Sequence, residues 1–425
     1  MVSTYAVATV SGANLNPSVS LSLWISGRLS FQSMLGYIFA QVSAGISAVT
    51  VLRAFNQPLE ELGSRVPFTL THVVLVEMLF TTCLIFVFLN CVCGARRSPD
   101  VDQNQFFGLA IGSVIVAGGY ISVKISGAMF NPACVIGLCM YGNSLWGLLY
   151  ISVHVLSSLL ACALFYGVRQ TQPRPITESD DETAVLLPVR KETETRSFTR
   201  ASKLLSEAVG VVVIAFTARL GSVTDCHVTP LAVGAAVMSM TYSLGDVSAH
   251  FNPAVTLAVV VSGRGKCSRI EGGLFALVQF LAAACVGIVG RVIEHQIKVH
   301  RNPIERFVFL EIAVGETLST LMVVLAVLSV ATVTTSWGQK DGLSFYSGLT
   351  VGACFVAGGF SLWGLSAGEL NPVLSLATLA AEGSGPRSVV DFVTQVFFQV
   401  LGGLLAASAF ALANPKEYKR KRFYA

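Results

Sequence analysis

Ala249-His250-Phe251-Asn252-Pro253-Ala254-Val255-Thr256 joins a short polar turn to an apolar run, and the chain repeats that join three more times. The other copies read Gly12-Ala13-Asn14-Leu15-Asn16-Pro17-Ser18, Gly127-Ala128-Met129-Phe130-Asn131-Pro132-Ala133 and Ala367-Gly368-Glu369-Leu370-Asn371-Pro372-Val373. Successive asparagines, from Asn16 to Asn371, are 115, 121 and 119 residues apart. One Asn-Pro is ordinarily a turn or a helix cap. Four at a near-constant interval, each opening an apolar segment too short to span a bilayer, indicate a structural repeat.

The surroundings are those of a membrane. The 425 residues are 53% hydrophobic and 12% charged, where a soluble domain carries about 25% charged residues. Mean hydropathy is +0.68. Apolar runs of bilayer length predict ten spans, at 31–52, 71–92, 106–123, 144–168, 205–221, 229–246, 270–291, 308–334, 344–362 and 389–413. Three spans separate each neighbouring pair of motifs, so consecutive motifs enter from opposite faces. With the C-terminus inside, 19 of the 28 Lys and Arg fall on cytoplasmic segments, which favours that orientation. Lys298, Arg301 and Arg306, in an external loop, run against it.

The repeat has two levels. Gly108-Leu109-Ala110-Ile111-Gly112 matches Gly348-Leu349-Thr350-Val351-Gly352 at an offset of 240, and Glu77 with Thr81 pairs with Glu316 and Thr320. This predicts two tandem modules, each of two inverted halves. Residues 1–168 form the first, 169–204 a charged cytoplasmic linker, 205–413 the second, and 414–425 a basic cytoplasmic tail. The linker holds Glu182-Thr183-Ala184-Val185-Leu186-Leu187, which has the form of an acidic dileucine sorting signal. The first module lacks its first helix and most of its second. That points either to about 40–60 further residues, two helices of ~20 with connections, or to a degenerate module that supports the other.

Asn-Pro suits a helix that begins inside a membrane. Irregular backbone at that depth must be buried in protein or line a cavity. Pro fits the first turn, where its missing N–H would have no partner. Asn before it caps the helix and still carries amide donors. Two such helix starts facing each other set fixed donors and positive dipole ends at the midplane. Neutral hydrogen-bonding solutes pass such a barrier; cations and protons are opposed.

These motifs resemble those of the major intrinsic proteins, the aquaporin and glycerol-facilitator family. Residues 249–256 are close to that family's first signature and Asn131-Pro132-Ala133 to its second. Ser206-Glu207 opens a span similar to its first helix, and Tyr37-Ile38-Phe39-Ala40-Gln41 resembles its third. The resemblance implies an all-α bundle of six transmembrane helices and two re-entrant half-helices per module. It implies that Asn16, Asn131, Asn252 and Asn371 are midplane donors, and that Glu77, Glu207 and Glu316 are buried carboxylates holding the re-entrant loops. The family's filter Arg is replaced by Cys134 and Leu374. The other filter positions become Gly119, Ala128, Gly359, Gly368 and Val233, all small or apolar, which predicts a wide, weakly polar filter. Lys124 and Glu369 lie near the outer mouths and are expected to face solvent or loop carbonyls; the alternative is that each colours selectivity in its own vestibule.

The implied function is a passive channel for water and small neutral solutes such as glycerol, urea or ammonia. The implied assembly is a homo-oligomer, two tandem chains giving four units in a plasma-membrane or endomembrane bilayer. An ion-coupled transporter also uses inverted repeats, and a non-conducting member of the same fold is a further alternative. No enzyme is expected: there is no nucleophile–base pair or phosphate loop, and His residues number six. No metal, other cofactor or nucleic-acid partner is expected either. The ten cysteines show no disulfide or metal spacing. Cys91 and Cys93 sit at a membrane edge, where lipid-facing or acylated side chains are the two options.

Overall fold

A computed structural model describes residues 1–56, 62–94, 106–142, 144–170, 198–224, 226–297, 309–333, 346–366, 368–383 and 385–419. The sorting-signal stretch 182–187 lies outside them. The described residues are helical and divide into two compact units, Met1–Ser202 and Lys203–Ala425.

The first unit contains α1 (Val2–Ser11), half-helix α2 (Pro17–Ile25), α3 (Phe31–Ala54), α4 (Leu70–Phe88), α5 (Phe107–Ser126), half-helix α6 (Pro132–Cys139) and α7 (Ser144–Arg169). Helix α8 (Arg200–Val223) leads into the second unit. There follow α9 (Thr229–Leu244), half-helix α10 (Pro253–Val261), α11 (Arg269–Ile297), α12 (Phe309–Ala326), α13 (Ser347–Ser366), half-helix α14 (Pro372–Glu382), α15 (Pro386–Ala413) and a short tail helix, α16 (Pro415–Lys419). Eight described helices are long and apolar enough to cross a bilayer. The other two predicted spans are α9, with 16 residues, and α13, with 20. The half-helices have 9, 8, 9 and 11 residues. At 1.5 Å per residue that is about half of a 30 Å hydrocarbon core.

The same packing recurs inside each unit. Helix α4 lies on α7 as α12 lies on α15, and α3 holds α6 as α11 holds α14. Both α4 and α12 end in a π-turn, Leu89–Cys93 and Val327–Ala331. Small residues let backbones approach, as membrane bundles require. A Cβ on Gly45 of α3 would stand 2.3 Å from the Ala133 carbonyl, and one on Gly137 of α6 would stand 2.7 Å from that of Gly45.

Helix α1 holds the place on α5 that α9 holds on α13. The Tyr5 hydroxyl accepts the Leu109 N–H, and the Tyr242 hydroxyl accepts that of Leu349. Each tyrosine ring lies where a Cβ on Gly108 or Gly348 would fall, 2.7 Å away. Val2–Ser11 thus stands to α5 as the C-terminal end of α9 stands to α13.

Cys91 and Cys93 are buried in the first π-turn, so neither faces lipid. The expectation failed because the π-turn directs both side chains inward.

Candidate functional site

Each Asn-Pro asparagine is an N-cap in extended conformation. The side-chain oxygen of Asn16 accepts from Ser18 N, that of Asn131 from Ala133 N, that of Asn252 from Ala254 N and that of Asn371 from Val373 N, at 2.8–3.2 Å. The amide nitrogens then cross between the two loops of a unit. Asn252 Nδ2 donates to Leu370 O at 3.2 Å and Asn371 Nδ2 to Phe251 O at 2.9 Å. In the first unit Asn16 Nδ2 donates to Phe130 O at 2.8 Å and Asn131 Nδ2 to Leu15 O at 3.3 Å. One of two N–H bonds per amide is therefore spent on the opposite loop, and the second remains for a ligand.

The carbonyls that accept these bonds belong to the residues just before each asparagine. All four are left-handed: Leu15 at φ 42°, Phe130 at 48°, Phe251 at 49° and Leu370 at 53°. Such a conformation in a non-glycine residue costs about 1–3 kcal/mol. It persists because both backbone groups are engaged: the carbonyl takes the opposite asparagine, and a buried side chain takes the N–H.

For three loops that side chain is a carboxylate. Glu77 accepts from Ser126 Oγ at 2.6 Å and from Met129 N, Phe130 N and His154 Nε2 at 2.9–3.0 Å. Glu207 accepts from Ser248 Oγ, from His250 N at 2.9 Å, from Phe251 N at 2.7 Å and from Gln279 Nε2 at 2.8 Å. Glu316 accepts from Ser366 Oγ, from Gln399 Nε2 at 3.0 Å and from the Leu370 backbone. The 12–16 loop uses Asn14, whose side-chain oxygen accepts Leu15 N at 3.1 Å. This is the bond that Glu207 makes to Phe251 in the second unit.

Gln279, Gln399, Gln41 and His154 were not singled out as loop supports from the sequence. Gln279 also donates to Thr256 Oγ1 at 3.2 Å, Gln399 to Ser375 Oγ at 3.2 Å and Gln41 to Ser20 Oγ at 3.0 Å. Each of those hydroxyls stands four residues after an asparagine. The fourth such position is Val135, without a hydroxyl, and there His154 replaces the glutamine. A polar amide inside an apolar run, as in Phe397-Phe398-Gln399-Val400, was the available signal.

Two cavities of about 30 Å³ each lie in the second unit, room for roughly two waters each. One is lined by both asparagines, Asn252 and Asn371, with His250, Phe251, Val237 and Val323 among its walls. The other gathers three of the sequence-predicted filter residues, Val233, Gly368 and Leu374, with Glu369, Thr378 and Trp363. Phe355 of α13 lines both and stands between them. Gly359 is not part of either lining; a Cβ there would fall 2.9 Å from Pro230 Cβ, and Pro230 supplies the wall instead. The cavity is consequently narrower than the row of small filter residues suggests.

In the first unit, Gly119 has no neighbour within 4 Å of a virtual Cβ, Ala128 is left-handed at φ 55° and half-buried, and Cys134 is exposed. Lys124 is exposed, as expected. Glu369 is not: it is 7% exposed, and Oε1 accepts the Thr378 hydroxyl at 2.6 Å. Its expected place at a solvent-facing mouth is overturned, because the loop turns the side chain in under α14.

Comparison with known proteins agrees with this geometry. The family model described as Major intrinsic protein matches residues 1–74 and 64–200, both within the first unit. Among similar proteins, Aquaporin NIP1-4 of Oryza sativa is 33% identical over 152 residues, 34% of this chain and 54% of that protein. Aquaporin NIP1-1 of Zea mays is 28% identical over 189 residues, 44% of this chain and 65% of that protein. Aquaporin Z of Photorhabdus laumondii is 31% identical over 160 residues, 34% of this chain and 65% of that protein. The chain spans between about half and two thirds of the length of these relatives.

Proposed function

Since the chain belongs to the major intrinsic protein family and is an integral multi-pass membrane protein, we propose that it is a passive channel for water and small neutral solutes. The observation that carries this reading is the reciprocal pairing of Asn252 and Asn371, both lining one cavity with an amide N–H to spare. Asn16 and Asn131 are the corresponding donors of the first unit. Solute sheds water at the midplane and receives those N–H bonds, while the paired helix starts oppose cations.

Glu77, Glu207 and Glu316 hold the loops and touch no solute. Each already accepts at least three bonds. Such engaged carboxylates are poorly suited to ion coupling, which favours a channel over a transporter. Selectivity belongs to Val233, Gly368 and Leu374 in the second unit, with Pro230 as the wall beside Gly359, and to Gly119, Ala128 and Cys134 in the first. The domain order of front module, cytoplasmic linker 169–204, back module and cytoplasmic tail goes with this reading, as does a dimer of tandem chains.

Stopped-flow light scattering on proteoliposomes tests it. Water permeability well above that of empty vesicles, without dependence on an ion gradient, is expected. Uphill, ion-dependent uptake would assign a transporter instead, and absence of any flux a structural member of the fold. A thiol reagent at exposed Cys134 is expected to reduce the first unit's share of flux.

A further inference from the structure

Two opposite charges are buried together at the cavity that Leu374 lines. Glu369 is part of that lining, and Arg219 of α8 is 3% exposed. Ala218 and Ser222 of α8 also line the cavity, while Arg219 stands behind their wall, where a Cβ on Gly290 of α11 would lie 3.8 Å from its Nε. Thr378 connects the two charges. Its hydroxyl accepts Arg219 Nη1–H at 3.3 Å and donates to Glu369 Oε1 at 2.6 Å. Ser375 accepts from Gln399 and has its own proton for the same carboxylate. Glu369 thus meets hydroxyl donors and, one hydroxyl away, a guanidinium, which suits an ionised acid.

The charge count decides whether cations are turned back. Each helix start is worth about half a positive elementary charge, so the facing starts of α10 and α14 supply about one. This cavity is separated from the one with both asparagines by Phe355. One uncompensated carboxylate here would cancel the helix starts, and a low-dielectric cleft lined by one sign of charge concentrates the opposite ion. Leu374, on the same wall, brings no cation. The first unit makes the contrast. Counted from Asn131, it has Met129 and Leu138 where the second unit has Glu369 and Thr378, and no helix among its described residues precedes α1 as α8 precedes α9. Acid, bridging hydroxyl and arginine are present together in one unit and missing together from the described residues of the other.

We propose that Arg219 and Glu369, bridged by Thr378, form one neutral pair that sets the charge selectivity of the second unit, a reading that rests on this unit being a pore. Arg219 acts through Glu369 from behind the wall and touches no solute. It cancels the carboxylate, so the positive helix starts stand unopposed and cations are turned back. Both charges are buried, so salt screens the pair little. Removing one partner of a buried pair leaves the other charge uncompensated, whereas removing both leaves none. The pair therefore predicts opposite leaks for its two single replacements and none for the double.

The test measures potassium, nitrate and water flux of the full chain in proteoliposomes. Arg219→Gln leaves the carboxylate uncompensated and is expected to raise potassium conductance at least about tenfold, the lower end of ion enrichment in a cleft of one charge. Arg219→Lys keeps the charge and is expected to stay at the unaltered level. Glu369→Gln leaves the guanidinium over and is expected to raise nitrate conductance instead, an arm that stands if Arg219→Gln does not fold. The double variant, Arg219→Gln with Glu369→Gln, is expected to leak neither ion. Potassium conductance unmoved in folded Arg219→Gln, nitrate conductance unmoved in Glu369→Gln, or a double variant that leaks either ion overturns the pair, while water flux keeps the channel reading in place. Absence of water flux in the unaltered protein overturns that reading and the pair with it.

Discussion

Phe355 shows how much one side chain decides. It is the wall shared by the two cavities of the second unit, 4% exposed and set on α13 one turn before Gly359. Phe355→Ala removes a ring from between them and joins the cavities. Permeability to glycerol is expected to rise severalfold in the variant; swelling in a glycerol gradient measures it. Glu207 is the opposite case, a residue whose value is structural. Glu207→Ala strands the N–H groups of His250 and Phe251, the Ser248 hydroxyl and one Gln279 donor. Each stranded buried donor costs about 1–3 kcal/mol. The protein is expected to lose at least about 3 kcal/mol, read as a lower midpoint in thermal unfolding in detergent. At the residue scale the sequence found Glu207 through the resemblance of Ser206-Glu207 to the start of the family's first helix. It missed Phe355, since a phenylalanine in a membrane helix is ordinarily core or lipid-facing.

At the scale of the element, the Asn-Pro half-helices were legible because Pro and Asn restrict where a helix can begin, and the register follows. What the sequence could not show was which full helix reaches over to hold each one. Gln41, Gln279 and Gln399 do so from α3, α11 and α15, each engaging a hydroxyl four residues past an asparagine. These partners are 21–24 residues apart in sequence and become neighbours only after the helices pack. The exception on α7 and α6 has a physical logic. A glutamine amide has two N–H bonds, one each for carboxylate and hydroxyl in the second unit. With Val135 in place of the hydroxyl, one would be stranded. An imidazole bonded through Nε2–H to Glu77 at 2.9 Å has a single donor, and leaves only its acceptor nitrogen Nδ1 without a partner among the described residues. His154→Gln alone is therefore expected to destabilise by roughly 1–2 kcal/mol. The pair His154→Gln with Val135→Ser is expected to recover most of it. A double-mutant cycle on thermal or denaturant unfolding measures the coupling; a pair no better than the single change would sink the explanation.

For the whole molecule, the two units are alike where the loops meet and differ in what stands behind the first loop. Glu77, Ser126 and Asn131 have counterparts in Glu316, Ser366 and Asn371, and the tyrosine–glycine contact of α1 with α5 repeats in α9 with α13. The second unit anchors its first loop from α8 through Glu207. The first unit substitutes Asn14, from within the loop itself. That substitution was not read from the sequence, where Asn14 stands only as part of the first motif. It leaves Asn14 Nδ2 buried and without a partner among the described residues, so the first loop is the less firmly held of the two. All four crossed asparagine bonds nevertheless close inside their own unit. Neither site needs a covalent connection to the other. A protease site inserted at position 185 of the linker and cut after reconstitution is thus expected to leave water permeability within about twofold, since the bonds concerned are local to each unit. Two products of roughly two hundred residues each would appear on a gel. Collapse of flux on cutting, with both products still in the membrane, would show that the units hold each other's loops in place and that the local anchoring by Asn14 is insufficient.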